Sequence, residues 1–434
     1  MLRIINQRSE AEAELQRICD RTFDEEVVHK EATVRQVLQT VQRNGDRALL
    51  DYTEEFDRQR LEISDLKVSA LELEAAYQQV DKPLLNAIEL AARQIEAFHR
   101  QRAPKSWVNF GEDNIVLGKR YTPVDRAGIY TPGGRAAYPS TVLMNAIPAK
   151  VAGVPRIAMC TPPGANKAIS PAVLVAAQLA GVTEIYRIGG AQAIAALAYG
   201  TSTVPKVDLI TGPGNIYVTL AKKMVYGLVG IDSLAGPSEV LIIADSGADP
   251  VHVATDLLAQ AEHDPIAAAI LITPDSNLAR QVSKEVEQQL INHPRQLLTE
   301  KAIAHYGAIM VVESLDEAVE LSNLFAPEHL ELEVAEPWEL LANIRHAGAI
   351  FLGYSTPEAV GDYLAGPNHT LPTSGTARYA SALGVETFMK HSSLIQYSPA
   401  ALEKMGEAIM TLAEAEGLPS HGHSVRTRIT PEQD

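Results

Sequence analysis

Gln260 and His263 stand three residues apart at the end of an apolar-periodic segment that Pro250 can open, so they share one helical face. An amide oxygen and an imidazole can both bind Zn²⁺, although Gln is an uncommon zinc ligand. By itself this segment reads more simply as a solvated helix end, with His263 favoured by the helix dipole. Glu328 and His329 follow Pro327 between an amphipathic segment and an alternating one. In a regular strand they would face opposite ways, whereas irregular backbone would give one pocket two acid/base groups. The turn-rich run Gly361 to Pro372 offers Asp362 as a hard oxygen ligand and His369 as a nitrogen donor or acceptor; a surface loop is the plainer alternative. Near the end, His421 and His423 flank Gly422; such a run is more often exposed polar chain than a metal site.

Two further loops could hold phosphate. Thr211-Gly212-Pro213-Gly214-Asn215 and Ile188-Gly189-Gly190-Ala191-Gln192 each join an apolar run to a helical one, where backbone N–H groups and a helix N-terminus can meet an anion. The chain has no G-x-G-x-x-G, so these loops mark a ligand edge without naming the ligand. Cys160 could form a thiohemiacetal in an aldehyde oxidation. No basic neighbour lowers its pKa, and a small apolar residue packed beneath a loop is the favoured reading.

Elements able to position these groups follow from periodicity. From Ser9 to about Phe110 the pattern is mostly helical. After Pro123, glycines and prolines from Gly128 to Pro139 imply loops. Strands are predicted at Arg156–Cys160, Glu184–Ile188, Val207–Thr211 and near Ile231, with helices between them at Pro171–Leu179, Gln192–Tyr199 and Asn215–Tyr226. A second series has strands at Val240–Asp245, Ala268–Thr273, Ala308–Val312, His329–Val334 and Ala349–Leu352, again with helices between. Such alternation predicts parallel sheets covered by helices, with ligands beyond the strand C-termini. After about Ser374 it fades into a tail, helical over Ala400 to Ala415 and then polar.

The 434 residues allow two or three domains. With 54 acidic and 37 basic side chains the formal charge is −17, which argues against nucleic acid as a partner. No apolar run approaches the roughly 18 to 20 residues of a membrane span, so no membrane role is expected. The polar N-terminus lacks a secretory pattern, and two unpaired cysteines suit a reducing compartment. The expected location is cytoplasmic.

Taken in order, several segments resemble the histidinol dehydrogenase family, over nearly the whole chain. They are Tyr130 with Thr131 to Gly134, Gly189 to Ala193, Gly212 to Asn215, Ala235 to Glu239, Gln260 to His263, Ala326 to His329, Asp362 with Ala365 to His369, and Glu416-Gly417-Leu418 before His421. The resemblance implies two similar Rossmann-like α/β domains with parallel-rich sheets, a helical N-terminal segment and a C-terminal tail. It divides the chain into 1–26 as that segment, 27–128 with 240–376 as the domain carrying most zinc and catalytic residues, 129–239 as the NAD-binding domain, and 377–434 as a tail reaching a partner subunit.

The implied activity is oxidation of L-histidinol to L-histidine through L-histidinaldehyde with two NAD, the last step of histidine biosynthesis. One Zn²⁺ per subunit would be held by Gln260, His263 and Asp362 and by His421 of a homodimer's shared site, with His423 the rival ligand. Tyr130, Gln192 and Asn215 would contact NAD. Ser238, His369 and Glu416, together with the zinc ligands and His329, would contact substrate. His329 would be the general base and Glu328 would activate water. Two rivals are a zinc hydrolase, with Glu328 as base and no dinucleotide, and a silent homologue acting as an assembly module.

Overall fold

In a computed structural model of the chain, residues 2–22, 26–133 and 137–429 are described. Gly134, in the turn-forming run after Tyr130, and 23–25, in the expected N-terminal helical segment, lie outside the described residues. The strands are β1 (Arg3–Ile5), β2 (Trp107–Phe110), β3 (Val116–Pro123), β4 (Arg126–Tyr130), β5 (Arg156–Thr161), β6 (Glu184–Arg187) and β7 (Leu209–Thr211). They continue with β8 (Gly230–Ile231), β9 (Glu239–Ala244), β10 (Ala268–Thr273), β11 (Gly307–Val311), β12 (His329–Glu333), β13 (Ala349–Leu352) and β14 (Met389–Gln396). Two compact units result, Met1–Arg102 with Asp125–Phe388, and Ala103–Val124 with Met389–Asp434.

The first unit holds two wholly parallel sheets, in the orders β1-β11-β10-β9-β12-β13 and β6-β5-β4-β7-β8. This is the α/β alternation that the sequence predicts. Central strands such as Val240-Leu241-Ile242-Ile243-Ala244 are buried at every position, because helices cover both sheet faces. Helix starts are set chemically: Asp249 accepts from the Val251 N–H ahead of Pro250–Ala261, and Asn215 accepts from Tyr217 and Val218 ahead of Ile216–Val225. The helices Glu26–Asn44 and Asp46–Asp57 pack on the five-stranded half, against Gly190–Tyr199 and Ile216–Val225. In that half the strand order reverses between β4 and β7, which opens a crevice at the carboxyl edge.

Several elements differ from the sequence reading. Arg126–Tyr130, read as loop, is the central strand β4; its run is short and includes Gly128, where a Cβ would press on Leu197 and Val207. Pro139–Ala152, to which periodicity assigns no element beyond Pro139, is a helix. It is apolar on nearly every side and contains Pro148, so it shows no 3.6-residue period. Trp107–Phe110 is a strand and not the end of a helical region.

The second unit is an antiparallel sheet, β14-β3-β2, with two packed helices, Pro399–Ala415 and Pro419–Ile429. The expected polar tail therefore carries a strand and a second helix. Strand β14 is almost wholly exposed, so no alternating burial pattern betrays it. No helix among the described residues is long and apolar enough to cross a membrane.

Candidate active site

The candidate catalytic pair lies at the amino edge of the six-stranded sheet, where β9 begins with Glu239 and β12 with His329. Ala326, at φ +57°, ends the helix Leu315–Phe325, and Pro327 leads on to Glu328 just before the strand. That irregular step lets both side chains reach one partner. The Glu239 N–H donates to Glu328 Oε2 at 2.9 Å, and His329 Nδ1–H donates to the Glu239 carbonyl oxygen at 3.0 Å. The second bond fixes the tautomer and leaves the lone pair on Nε2. That Nε2 is buried and has no hydrogen-bond partner among the described residues. Glu239 is itself held by Arg21 at 3.0 Å, both side chains being buried.

A set of donors adjoins this pair. The sheet-packed helix Pro250–Ala261 delivers Gln260, and His263 follows in the turn after it. The short helix Glu358–Tyr363 delivers Glu358 and Asp362, so Asp362 is helical and not in a loop. Ligating atoms of His263, Glu358 and Asp362 all lie within 4.8 Å of one another. Glu358 Oε1 is 3.7 Å from His329 Nδ1, which joins the donor set to the catalytic pair. The Gln260 amide is satisfied when its nitrogen donates to the Glu239 carbonyl oxygen at 3.2 Å and to Glu358 at 3.1 Å. Its oxygen then lies on the His263 side, where the other amide position is 3.5 Å from His263 Nδ1. His369 Nδ1–H donates to the Asp362 carbonyl oxygen at 3.1 Å.

These groups suit a divalent cation. An imidazole, an amide oxygen and carboxylates form a nitrogen/oxygen set of the kind Zn²⁺ accepts. Burial pushes Asp362 up to about 6. Burial, and then Asp362 and the other acids nearby, hold Glu358 well above the carboxylate range. Burial also lowers His329 to about 3 and His369 to about 4. Packed acids and imidazoles thus surrender charge, and a cation among them would restore the carboxylates.

The expected dinucleotide contacts gather at the carboxyl edge of the five-stranded sheet. Tyr130 ends β4, and its hydroxyl oxygen accepts from the Gly190 N–H at 3.1 Å. Among the described residues, Gln192 is buried with both amide atoms unpartnered, and the buried hydroxyls of Thr131 and Thr211 are unpartnered as well. Gly212, at φ +116°, has no room for a side chain: a Cβ would overlap the Tyr130 carbonyl oxygen. Unsatisfied polar atoms in such a cradle fit a polar ligand lying against the backbone. Asn215 uses its side-chain oxygen to cap the next helix, leaving its amide nitrogen for a ligand.

Other expected residues are placed as follows. Ser238 precedes β9, and its carbonyl oxygen accepts from the Ala268 N–H at 3.0 Å. Glu416, His421 and His423 belong to the second unit and are exposed. His421 and His423 are two apart on the helix Pro419–Ile429, so they point to different sides of it. Cys160 is fully buried in the apolar core and its thiol is pushed far up by burial, which leaves no reactive thiolate.

The family model for histidinol dehydrogenase matches residues 21–429. The chain belongs to the histidinol dehydrogenase family. Histidinol dehydrogenase 2 of Trichormus variabilis is 76% identical over 433 residues, covering 100% of both chains. Histidinol dehydrogenase of Thermosynechococcus vestitus is 71% identical over 431 residues, 99% of this chain and 100% of that one. A crystal structure of histidinol dehydrogenase from Elizabethkingia anophelis superposes with a TM-score of 0.88 at 40% identity, covering 92% of each chain. As a histidinol dehydrogenase, the chain is an oxidoreductase of histidine biosynthesis acting on a small molecule. Sequence reasoning gave no role to two acids of this site, Glu239 and Glu358. The Pro357-Glu358 pair resembles any helix start, and only the fold shows that Glu358 is buried.

Proposed function

We propose that the chain oxidises L-histidinol to L-histidine through L-histidinaldehyde, with two NAD and one Zn²⁺ per subunit. The observation that carries this reading is His329: Nδ1 is tied to the Glu239 carbonyl oxygen at 3.0 Å and lies 3.7 Å from Glu358 of the donor set, while Nε2 is buried and, among the described residues, unpartnered. Gln260, His263 and Asp362 would hold zinc, with His421 of a second copy completing the set. Bound zinc orients the amino alcohol as a Lewis acid, and NAD accepts the hydrides. Glu358 fixes the Gln260 amide, while Ser238, His369 and Glu416 bind substrate. The 129–239 segment binds the dinucleotide through Tyr130, Gln192 and Asn215.

His329 Nε2 takes the hydroxyl proton as the carbinol carbon loses hydride, giving the aldehyde. Glu328 then takes a proton from the water that adds to the aldehyde carbon while the proton on His329 Nε2 passes to the carbonyl oxygen, forming a gem-diol and freeing Nε2. Burial, and then Glu239, raise its proton affinity well above the glutamate range, and a cation in the adjoining donor set would favour the ionised form that can take a proton from water. His329 Nε2 takes a diol proton as the second hydride leaves, and the acid results.

A homodimer with a shared site is supported by the large apolar side chains that the second unit leaves exposed, Phe110, Ile395 and Leu412 among them. A cytoplasmic setting is supported by the biosynthetic family. The test is NADH release from L-histidinol before chelation, after it, and after zinc is restored. Two NADH per substrate, lost and regained with metal, are expected; one NADH would remove the second oxidation, and none would remove the reading.

A further inference from the structure

Asp57 is the last residue of the helix Asp46–Asp57, at the end where backbone carbonyls disfavour a negative charge. No basic residue occupies that last turn, and among the described residues the Asp57 carboxylate makes no hydrogen bond or ion pair. Its Oδ2 is nevertheless buried. Local structure therefore gives this acid no reason to be there. Its position does: a Cβ on Gly189 would lie 3.2 and 3.3 Å from the two Asp57 oxygens and 2.7 Å from Pro162 Cβ. Asp57 thus overhangs the loop after β6 and the end of β5. Gln192, buried with both amide atoms unpartnered among the described residues, lies in the first turn of the helix Gly190–Tyr199 that follows Gly189.

In doubly wound dinucleotide domains, an acid just after the second strand binds the adenosine ribose hydroxyls. The second strand of this half in chain order is β5, and the residues after it, Pro162-Pro163-Gly164, carry no acid. We propose that Asp57, supplied from the N-terminal helices, takes that place: its carboxylate accepts hydrogen bonds from the adenosine ribose hydroxyls and repels a 2′-phosphate, so that the site takes NAD and rejects NADP. The inference rests on reading this edge as the dinucleotide site. Burial pushes Asp57 up to about 6, which leaves it ionised at neutral pH and able to accept from both hydroxyls.

The experiment titrates the zinc-loaded full chain calorimetrically with NAD, with NADP and with the NAD analogue lacking the adenosine 2′-hydroxyl, then repeats this on D57N. A lost hydrogen bond to a charged group predicts about tenfold or more weaker NAD binding in D57N. NADP should lose less, so the preference narrows, while kcat at saturating NAD stays near the parent's. The deoxy analogue should bind the unsubstituted protein weakly by a similar factor. Unchanged NAD affinity in folded D57N, or equal binding of the deoxy analogue and NAD, overturns the proposal while leaving the dinucleotide reading intact. If D57N does not fold, the analogue series on the unsubstituted protein decides alone. Failure of that protein to bind NAD at all overturns the dinucleotide reading and this inference with it.

Discussion

His329 and Glu239 are joined through the ring and the main chain: Nδ1–H of the histidine donates to the carbonyl oxygen of the glutamate at 3.0 Å, across the paired starts of β12 and β9. A carbonyl oxygen can only accept, so the proton stays on Nδ1 and the base is Nε2. In H329N an amide nitrogen can still donate near the Nδ1 position while the base is deleted. Removal of a general base typically costs about 10² to 10⁴ in rate. Steady-state NADH production by H329N should fall in that range, with the histidinol KM nearly constant and part of the rate returning at high pH. A parent-like kcat would remove His329 as the base.

Glu328 and His329 divide the work by stage. The Glu239 N–H bond to Glu328 Oε2 at 2.9 Å survives in E328Q, since an amide oxygen also accepts. The ability to take a proton from water does not survive. Single-turnover assays should therefore show the first NADH at close to the parent rate and the second slowed by about 10² or more, with aldehyde trapped by a carbonyl reagent. Loss of both phases together would assign Glu328 to positioning.

Much of the arrangement is legible in the chain, for physical reasons that differ by residue. The β9 run after Glu239 and the β10 run before Thr273 are continuously apolar because both faces are covered, and such runs stand out. Pro327 marks the irregular step that lets Glu328 and His329 serve one pocket. Asp57 and Glu358 are illegible because each looks like an ordinary charged residue at a helix end, and burial of a polar atom is a tertiary property. Strand β14 pairs with β3 over Met389 to Gln396, yet its exposed side chains write no period-two pattern.

Glu358 holds Gln260 rather than acting on substrate. Its carboxylate accepts from the amide nitrogen at 3.1 Å, and its own N–H is fixed by Glu331 Oε1 at 2.8 Å. Partners of this kind typically change metal affinity by about 10- to 100-fold. E358A, which offers the Gln260 amide no acceptor, should lose zinc to a competing chelator at correspondingly lower chelator concentration, while kcat under excess zinc is largely restored. Unchanged competition would show that Glu358 does not support the ligand set.

Gly212 is required by two constraints at once, φ +116° and the Tyr130 carbonyl oxygen where a Cβ would go. G212A must shift the β7 turn away from β4, at a cost of about 1 to 3 kcal/mol for strained backbone. The expected outcome is a lower melting temperature and weaker NAD binding by calorimetry, with zinc content unchanged, because the donor set lies on the other sheet. NAD affinity equal to the parent's would separate this turn from the dinucleotide.

Glu333 gives the pH dependence a definite sign. Among the described residues both its carboxyl oxygens are buried without partners, and burial, with Asp256 and Asp249 adding to it, pushes the group up to about 8. An unfolded glutamate loses its proton near ~4.3. Between these values the folded chain binds the extra proton, so this group's contribution to stability falls as pH rises through that window and levels off above it. E333Q carries no such proton and should melt above the parent at alkaline pH. The gap should close as pH falls towards about 4, where both states of the parent are protonated. Thermal melts across that range test it: a gap independent of pH would mean that Glu333 is already ionised in the fold and has a counter-charge.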